Sequence, residues 1–228
     1  MKTIHYFLGI LFGFALMITL FITSIEAVCY WYPGYFEKEY TKYNVLEDVR
    51  MEMDDLLEVT EEMMDYLRGD REDLHVPTIV DGKPGEFFNE REIAHMADVQ
   101  RLFLGGFAIR RICIGIMAFA AALLFVMKAN VKNILPKAIC HGTIIFFAVT
   151  AALAGLISTN FTKYFIIFHK IFFNNDLWIL DPSTDLLINI VPEPFFVDTA
   201  ANIALLFIVS VVITFAVCIF FMKRNKAK

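Results

Sequence analysis

Four apolar runs of about 20 residues set the first constraint on this chain, because a helix of that length crosses a hydrocarbon core of about 30 Å. They are Tyr6 to Ile25, Phe107 to Met127, Ala138 to Thr159 and Ala200 to Met222. Only the second run is interrupted, by Arg110 and Arg111 near its start. A hydrophobic content of 58% also exceeds that of ordinary soluble domains. The sequence therefore predicts a mainly α membrane protein with four transmembrane helices and excludes a water-soluble enzyme.

The charged residues divide between two sides of these runs. Eight basic residues and no acidic residue lie before the first run, between the second and third, and after the fourth. In contrast, residues 29–102 hold 8 basic and 19 acidic residues, and residues 160–199 hold 2 and 5. Positive charge collects in short cytoplasmic loops. We therefore expect both termini to be cytoplasmic and the two large loops to lie outside.

This division gives eight segments. They are transmembrane helices at 1–28, 103–127, 138–159 and 200–222, an extracytoplasmic cap at 29–102, a cytoplasmic loop at 128–137, an aromatic-rich outer interfacial loop at 160–199, and a cytoplasmic tail at 223–228. We expect the first helix to be a retained anchor rather than a cleaved signal peptide. Its apolar run is longer than a usual signal core, and the bulky Val28 stands before Cys29.

Helical periodicity dominates the first half of the cap. From Asn44 to Leu67, apolar residues recur at helical spacing with carboxylates between them, which predicts an amphipathic helix. Asn44 and Glu47 are spaced as a capping box, and Gly69 is a typical stop. The pattern leaves open a break near Thr60.

The second half of the cap predicts a hairpin and another helix. Asp81-Gly82 is a typical tight turn between two short strands. Asn89 then opens a helix that we expect to run into the second span. The cap is therefore predicted to contain helices and a short β-hairpin.

The second outer loop is rich in aromatic residues and suits the membrane interface, where rings and lysines are both tolerated. Asp181-Pro182 predicts the start of a short helix that ends at Ile190.

Two of the five histidines stand out by position. His95 and His169 both border an apolar span on the outer side, whereas His75 starts a hairpin strand and is expected at the surface. Each of the pair, taken singly, has the character of an interfacial or packing histidine, so only their shared position suggests chemistry. A zinc site from His95, Asp98, His169 and Asp176 is conceivable, although the spacing is not diagnostic.

Arg110 and Arg111 are costly if they face lipid. We interpret them as a boundary pair reaching the interface rather than as an anion clamp. The sequence contains no nucleophile elbow, no H-E-x-x-H motif and no glycine-rich phosphate loop.

Four segments carry a specific resemblance. They are Tyr66–Gly69, Phe88–Val99, Phe168–Trp178 continuing through Asp181-Pro182, and Pro192–Phe196. In these segments, and in the order of its spans, the chain resembles the lipoprotein intramolecular transacylases, four-span bacterial membrane proteins.

The resemblance implies an acyltransferase at the outer leaflet of the cytoplasmic membrane. It would move the sn-2 acyl chain of a diacylglyceryl-modified lipoprotein to the α-amine of the lipoprotein's own N-terminal cysteine, giving the N-acyl S-monoacylglyceryl lyso form. His95 and His169 match the family's two catalytic histidines, with their roles as base and acid left open. Acid/base catalysis by these residues would need no acyl-enzyme, no cofactor and no metal.

We expect further residues near these histidines to support them or to bind the substrate. They are Asp98, Arg91, Asn89, Asn174, Asp176, Trp178, Phe168 and Phe172. Asp98 could orient His95 or merely balance surface charge. The expected partners are the lipoprotein and membrane lipids, with neither nucleic acid nor an obligate protein partner.

Two other functions fit the residues. One is a metal-dependent membrane hydrolase using the same histidines, and the other is a four-span scaffold or sensor whose acidic cap binds a partner. Without the resemblance, the scaffold would rank first.

Overall fold

The computed structural model describes residues 2–226, and its helices follow the apolar runs. Met1, Ala227 and Lys228, the last a basic residue of the predicted cytoplasmic tail, lie outside the described residues. Within them the order of elements is α1 (Lys2–Glu26), a π-helical continuation (Ala27–Trp31), α2 (Tyr35–Lys42), α3 (Val45–Val49), α4 (Met53–Arg68), β1 (Pro77–Val80), β2 (Lys83–Glu86), α5 (Glu90–Val126), α6 (Val131–Ser158), α7 (Phe161–Phe172), α8 (Leu187–Ile190) and α9 (Glu193–Lys226).

Four of these helices are long and apolar enough to cross a membrane. They are α1 with its continuation, α5, α6 and α9. The chain is therefore a multi-pass membrane protein. As predicted, the helix opened by Asn89 runs without a break into the second apolar run.

The chain forms two compact units, the first of which contains most of the apolar helices. It comprises the described residues up to Glu26, Phe107–Asn160, and the described residues from Asn202 onward. Helices α1 and α6 approach closely at glycines: a Cβ added to Gly13 would lie 3.0 Å from the Cα of Ile139. Small residues permit this approach in membranes, where helices associate through packing rather than the hydrophobic effect.

A proline inside α6 is compensated by another helix of the same unit. Pro136 has no N–H to donate to the carbonyl of Lys132 one turn earlier. The side-chain amide of Asn225 on α9 donates to that carbonyl at 2.6 Å instead. The freed backbone acceptor is thus satisfied between helices.

Arg110 has a partner within this unit. Its guanidinium donates to Glu26 and lies 5.4 Å from the centre of the Phe107 ring. It therefore forms an ion pair with Glu26, while Arg111 is exposed. Pairing lowers the cost of two charges at the end of an apolar helix.

The second unit comprises Ala27–Gly106 and Phe161–Ala201. Its core contains Tyr40, whose hydroxyl donates to Thr60 at 2.7 Å. Thr60 in turn donates to the carbonyl of Leu56. Lys42 and Tyr43 at the end of α2 both donate to Asp198 on α9. These contacts join the first and last segments of the unit.

The predicted hairpin is present. Strands β1 and β2 pair antiparallel, with Val80 opposite Lys83. Asp81 and Gly82 both have positive φ, 52° and 71°, which suits a tight turn matched to strand twist.

The predicted amphipathic helix differs in detail. Two helices, α3 and α4, separate at Arg50, which adopts a left-handed φ of 54°, so the break is not near Thr60. Asn44 was expected to cap but is itself left-handed and makes no side-chain cap bond. Gly69 does end α4, with a φ of 83°.

The helix expected from Asp181-Pro182 is also shorter. The Asp181 side chain accepts from the backbone N–H and hydroxyl of Ser183, and this local turn competes with a helix. Only Leu187–Ile190 is helical.

Candidate active site

The first polar turns of α5, from Glu90 to Arg101, precede its apolar part and present His95 to the second unit's interior. Asn89 caps this helix, accepting the N–H of Glu92 at 3.0 Å, while Glu92 accepts the N–H of Asn89 at 2.7 Å. This is a reciprocal capping box. Glu92 also accepts the N–H of Leu187 at 2.6 Å, so the start of α5 is tied to α8.

His169 occupies the last turn of α7. Its Nδ1 lies 2.7 Å from the carbonyl oxygen of Phe165, one turn earlier. A carbonyl oxygen can only accept, so Nδ1 carries the proton and donates it. In the neutral ring, Nε2 therefore has a free lone pair.

The two histidines, distant in sequence, meet within the second unit. The ring centres of His95 and His169 are 6.1 Å apart, with an angle of 35° between the planes. The residues are only 8% and 6% exposed. Two imidazoles are thus held side by side, largely away from water.

Burial keeps both rings uncharged. It lowers the pKa of His95 to about 4, with a further lowering by the neighbouring His169 and a smaller opposing effect of Asp98. Burial also lowers the pKa of His169, against the raising effect of its hydrogen bond to Phe165. At neutral pH both are neutral imidazoles, and a proton on one disfavours a proton on the other.

Aromatic rings surround the pair. Trp178 lies 4.8 Å from His169, and Phe165 lies 4.2 Å from it, between ring centres. Phe173 touches both histidines, at 5.5 Å from His95 and 5.4 Å from His169. These rings fix the imidazoles and account for their desolvation.

A groove of about 450 Å³ adjoins this cluster. Its lining residues are Ile166, Lys170, Phe173, Asn174, Asn175, Asp176, Trp178 and Ile179. Phe173 and Trp178 line the groove and also contact the histidines. The walls combine apolar rings with amides and with one charge of each sign, Lys170 and Asp176.

Asp98 does not orient His95 by a hydrogen bond. Its Oδ1 accepts from Arg101 at 2.9 Å, and its Oδ2 accepts from Asn175 at 2.8 Å. Its influence on His95 is through charge alone. Arg91 donates to the main-chain oxygen of Asp176 and so bridges α5 to the loop after α7.

The remaining expected residues divide between the site and its edge. Trp178 and Phe168 contact the ring of His169, the latter edge-on at 5.4 Å. Phe172 packs on Phe168 and is 53% exposed, and Asn174 is exposed in the groove. Asn89 acts through the helix cap and a bond to Asp185.

Three site residues were missed from the sequence. Phe173 is one turn after His169, so helical spacing could have identified it. Glu92 was visible as the third residue after Asn89. Asn175 had no signal of its own beside Asn174.

Metal ligation finds no support in the described residues, which contain no group of three His, Cys, Asp or Glu able to hold an ion. The zinc set considered from the sequence is therefore not assembled among the described residues. Asp98 bonds to Arg101 and Asn175.

The fold and the site together define a class of protein. It is a multi-pass helical membrane protein with a small hairpin and a buried, uncharged histidine pair. The sequence model of a family described as lipoprotein intramolecular transacylase Lit matches residues 10–196. The chain belongs to this family and is accordingly an acyltransferase, a lipoprotein intramolecular transacylase.

Solved structures give the same fold. The membrane-integral lipoprotein intramolecular transacylase Lit from Bacillus cereus is 22% identical, with a TM-score of 0.84 and full coverage of both chains. A histidine-to-arginine variant of that protein gives 0.80, covering 99% of this chain and 95% of the other, and a histidine-to-alanine variant gives 0.81, with 100% and 97%, both at 22% identity. No curated protein sequence matches the chain significantly.

Proposed function

We propose that this transacylase moves the sn-2 acyl chain of a diacylglyceryl lipoprotein from the glyceryl oxygen to the α-amine of the same molecule's N-terminal cysteine. The observation that carries the proposal is the pair of buried, neutral imidazoles whose centres lie 6.1 Å apart. The product is the N-acyl S-monoacylglyceryl lyso form.

The reaction needs both proton transfer and confinement. The amine attacks the ester carbonyl through a medium-sized ring that includes the cysteine and part of the glyceryl group, and such rings close slowly because many torsions must be fixed. A walled site lowers this entropic barrier by orientation. One proton leaves the amine and one reaches the departing glyceryl oxygen, so a proton carrier can serve both transfers without a covalent acyl-enzyme.

His169 is suited to the role of proton carrier. Its Nδ1–H is committed to the Phe165 carbonyl, which leaves the Nε2 lone pair to take the proton of the attacking amine. The same atom, now protonated, can deliver that proton to the glyceryl oxygen as the carbon–oxygen bond breaks.

His95 is suited to stabilising the oxyanion. With a pKa of about 4 it stays neutral at pH 7, and a proton on His169 further disfavours charge on it. Because of this low pKa the His95 ring is a poor base, but in its neutral form it still donates an N–H. We assign it to stabilise the oxyanion that forms at the attacked carbonyl.

The substrate's position follows from the walls of the site. The groove beside Trp178 and Phe173 offers apolar surface for acyl methylenes and the amides of Asn174 and Asn175 for polar groups of the headgroup. The distribution of charge supports both termini in the cytoplasm and the histidine pair at the outer leaflet.

The test uses purified protein and a reporter lipoprotein that carries different acyl chains at sn-1 and sn-2. Because transfer within one molecule leaves the mass unchanged, fragmentation of the N-terminal lipopeptide must be measured. We expect the sn-2 chain on the amine. Mixing heavy-labelled and unlabelled reporters should leave the label on its own polypeptide.

The histidine assignment is tested by His95→Ala and His169→Ala, each expected to lower the rate by about 10²–10⁴-fold. His75→Ala is the matched control, since His75 is an exposed histidine of the same unit. A free amine that persists with the unmodified enzyme would overturn the reaction. Full activity in both His95→Ala and His169→Ala would overturn the assignment.

A further inference from the structure

Asn175 makes three hydrogen bonds near the histidine pair. Its side-chain NH2 donates to Asp98 at 2.8 Å, and its side-chain oxygen accepts the N–H of Leu177 at 3.1 Å. Its main-chain oxygen accepts the indole N–H of Trp178 at 3.0 Å. One half-buried residue is therefore bonded in three directions.

These contacts lead to both histidines. Asp98 is one helical turn after His95 on α5, so its bond to Asn175 fixes the loop against the helix that carries His95. Trp178 lies 4.8 Å from His169, so its bond to the Asn175 carbonyl fixes the ring against which His169 rests. The bond to Leu177 closes the turn between these two attachments.

We propose that Asn175 is a positioning residue that sets the spacing of the His95 and His169 rings. The inference rests on the proposed function and deepens it, because the pair works only when both rings reach one bound headgroup. Asn175 touches no reacting atom. It acts through Asp98 on one side and Trp178 on the other.

The chemistry of the Asp98 contact gives the role a specific requirement. One oxygen of Asp98 accepts from Arg101, and the other oxygen needs a hydrogen-bond donor from position 175. An amide supplies that donor, whereas a carboxylate at position 175 would place a second negative charge against Asp98 and push the loop away from α5. A displacement of about 1 Å at a catalytic pair can cost about a hundredfold in rate.

The bond can also be reversed. In the double variant Asp98→Asn with Asn175→Asp, the new amide on α5 donates to the new carboxylate on the loop. The amide oxygen at position 98 still accepts from Arg101, and the carboxylate at position 175 still accepts from Leu177. Each of these hydrogen bonds is retained, and the total charge is unchanged, although the Arg101 contact is no longer an ion pair.

The experiment measures kcat and KM on the reporter lipoprotein for the unmodified enzyme, Asn175→Asp and the double variant. Asn44→Asp is the control for the charge change, since Asn44 is an exposed residue of the same unit. We expect Asn175→Asp to lower kcat by about tenfold to a hundredfold with KM changed by less than about twofold. The kcat of the double variant should be at least about tenfold higher than that of Asn175→Asp. The kcat of Asn44→Asp should match that of the unmodified enzyme.

Failure of this inference is distinguishable from failure of the proposed function. If the unmodified enzyme converts the reporter and Asn175→Asp has the same kcat, or the double variant is no better than Asn175→Asp, the positioning role is wrong. A loss of kcat in Asn44→Asp equal to that in Asn175→Asp would also overturn it. If the unmodified enzyme itself leaves the amine free, the proposed function has failed instead.

Discussion

The indole of Trp178 covers one side of the imidazole of His169, with ring centres 4.8 Å apart and an angle of 31° between the planes. On the same imidazole, Nδ1–H is held by the carbonyl of Phe165. One contact fixes the plane of the ring and the other its rotation. The direction of the free Nε2 lone pair is thereby determined before substrate binds.

Replacing Trp178 should therefore slow transfer. We expect Trp178→Ala to lower kcat by about a hundredfold, because the His169 ring loses its stacking partner. Trp178→Phe keeps a ring and should lose less. Trp31, the only other tryptophan, is 57% exposed, and Trp31→Ala serves as the control. Equal rates for Trp178→Ala and the unmodified enzyme would contradict the stacking role.

Lowering the pH should destabilise the fold through the two histidines. Both have a lowered pKa in the folded chain, so below about pH 6.5 the unfolded chain binds more protons than the folded chain. Stability from His95 is full above about 6.5 and falls as the pH approaches its folded value of about 4. We expect the melting temperature in detergent to fall between pH 7 and pH 5.

The contribution of His95 to the slope of melting temperature against pH can be isolated. His95→Asn should make the melting temperature less dependent on pH across the same interval, since asparagine does not titrate. His75→Ala, a change at an exposed histidine of the same unit, is the control. A slope identical in His95→Asn and the unmodified protein would show that the buried imidazole does not control this pH response.

Removal of metal ions should leave the activity intact. No described group of three His, Cys, Asp or Glu residues could hold an ion. The assay is conversion of the reporter after treatment with EDTA, and then after addition of zinc. Loss of activity with EDTA and its recovery with zinc would instead favour a metal-dependent hydrolase.

The close approach of α1 and α6 predicts a stability effect in the first unit. A Cβ at Gly13 would meet the backbone of Ile139 at 3.0 Å, whereas one at Gly155 has nothing within 4 Å. Gly13→Ala should destabilise by about 1–3 kcal/mol, because backbone must move. Gly155→Ala should be neutral or slightly stabilising, since alanine favours helix. Melting temperatures of the two variants in one detergent give the comparison, and equal values would contradict the packing argument.

Several local features followed from sequence because their causes are local. The apolar runs predicted the four long helices, since the length and composition of a run are properties of the chain itself. Asp81-Gly82 predicted the hairpin turn, because both residues tolerate positive φ. Gly69 predicted the end of α4 for the same reason.

Two local patterns did not form as predicted. Asn44 and Glu47 are spaced as a capping box, but the backbone at Asn44 is left-handed and the break falls at Arg50. Asp181-Pro182 resembles a helix start, but Asp181 bonds to Ser183 and closes a turn instead. At Asn44 and Arg50 the backbone is left-handed, and at Asp181 a side-chain turn replaces the first turn of the predicted helix.

The sequence by itself determined that the chain has four apolar helices and which two histidines deserved attention. Only the tertiary structure decided that His95 and His169 lie 6.1 Å apart and that burial leaves both uncharged. It also decided that Asp98 accepts a hydrogen bond from Asn175 rather than from His95. The physical reason is that hydropathy and turn preference are set by neighbouring residues, whereas desolvation and ring spacing depend on side chains brought together from distant parts of the chain.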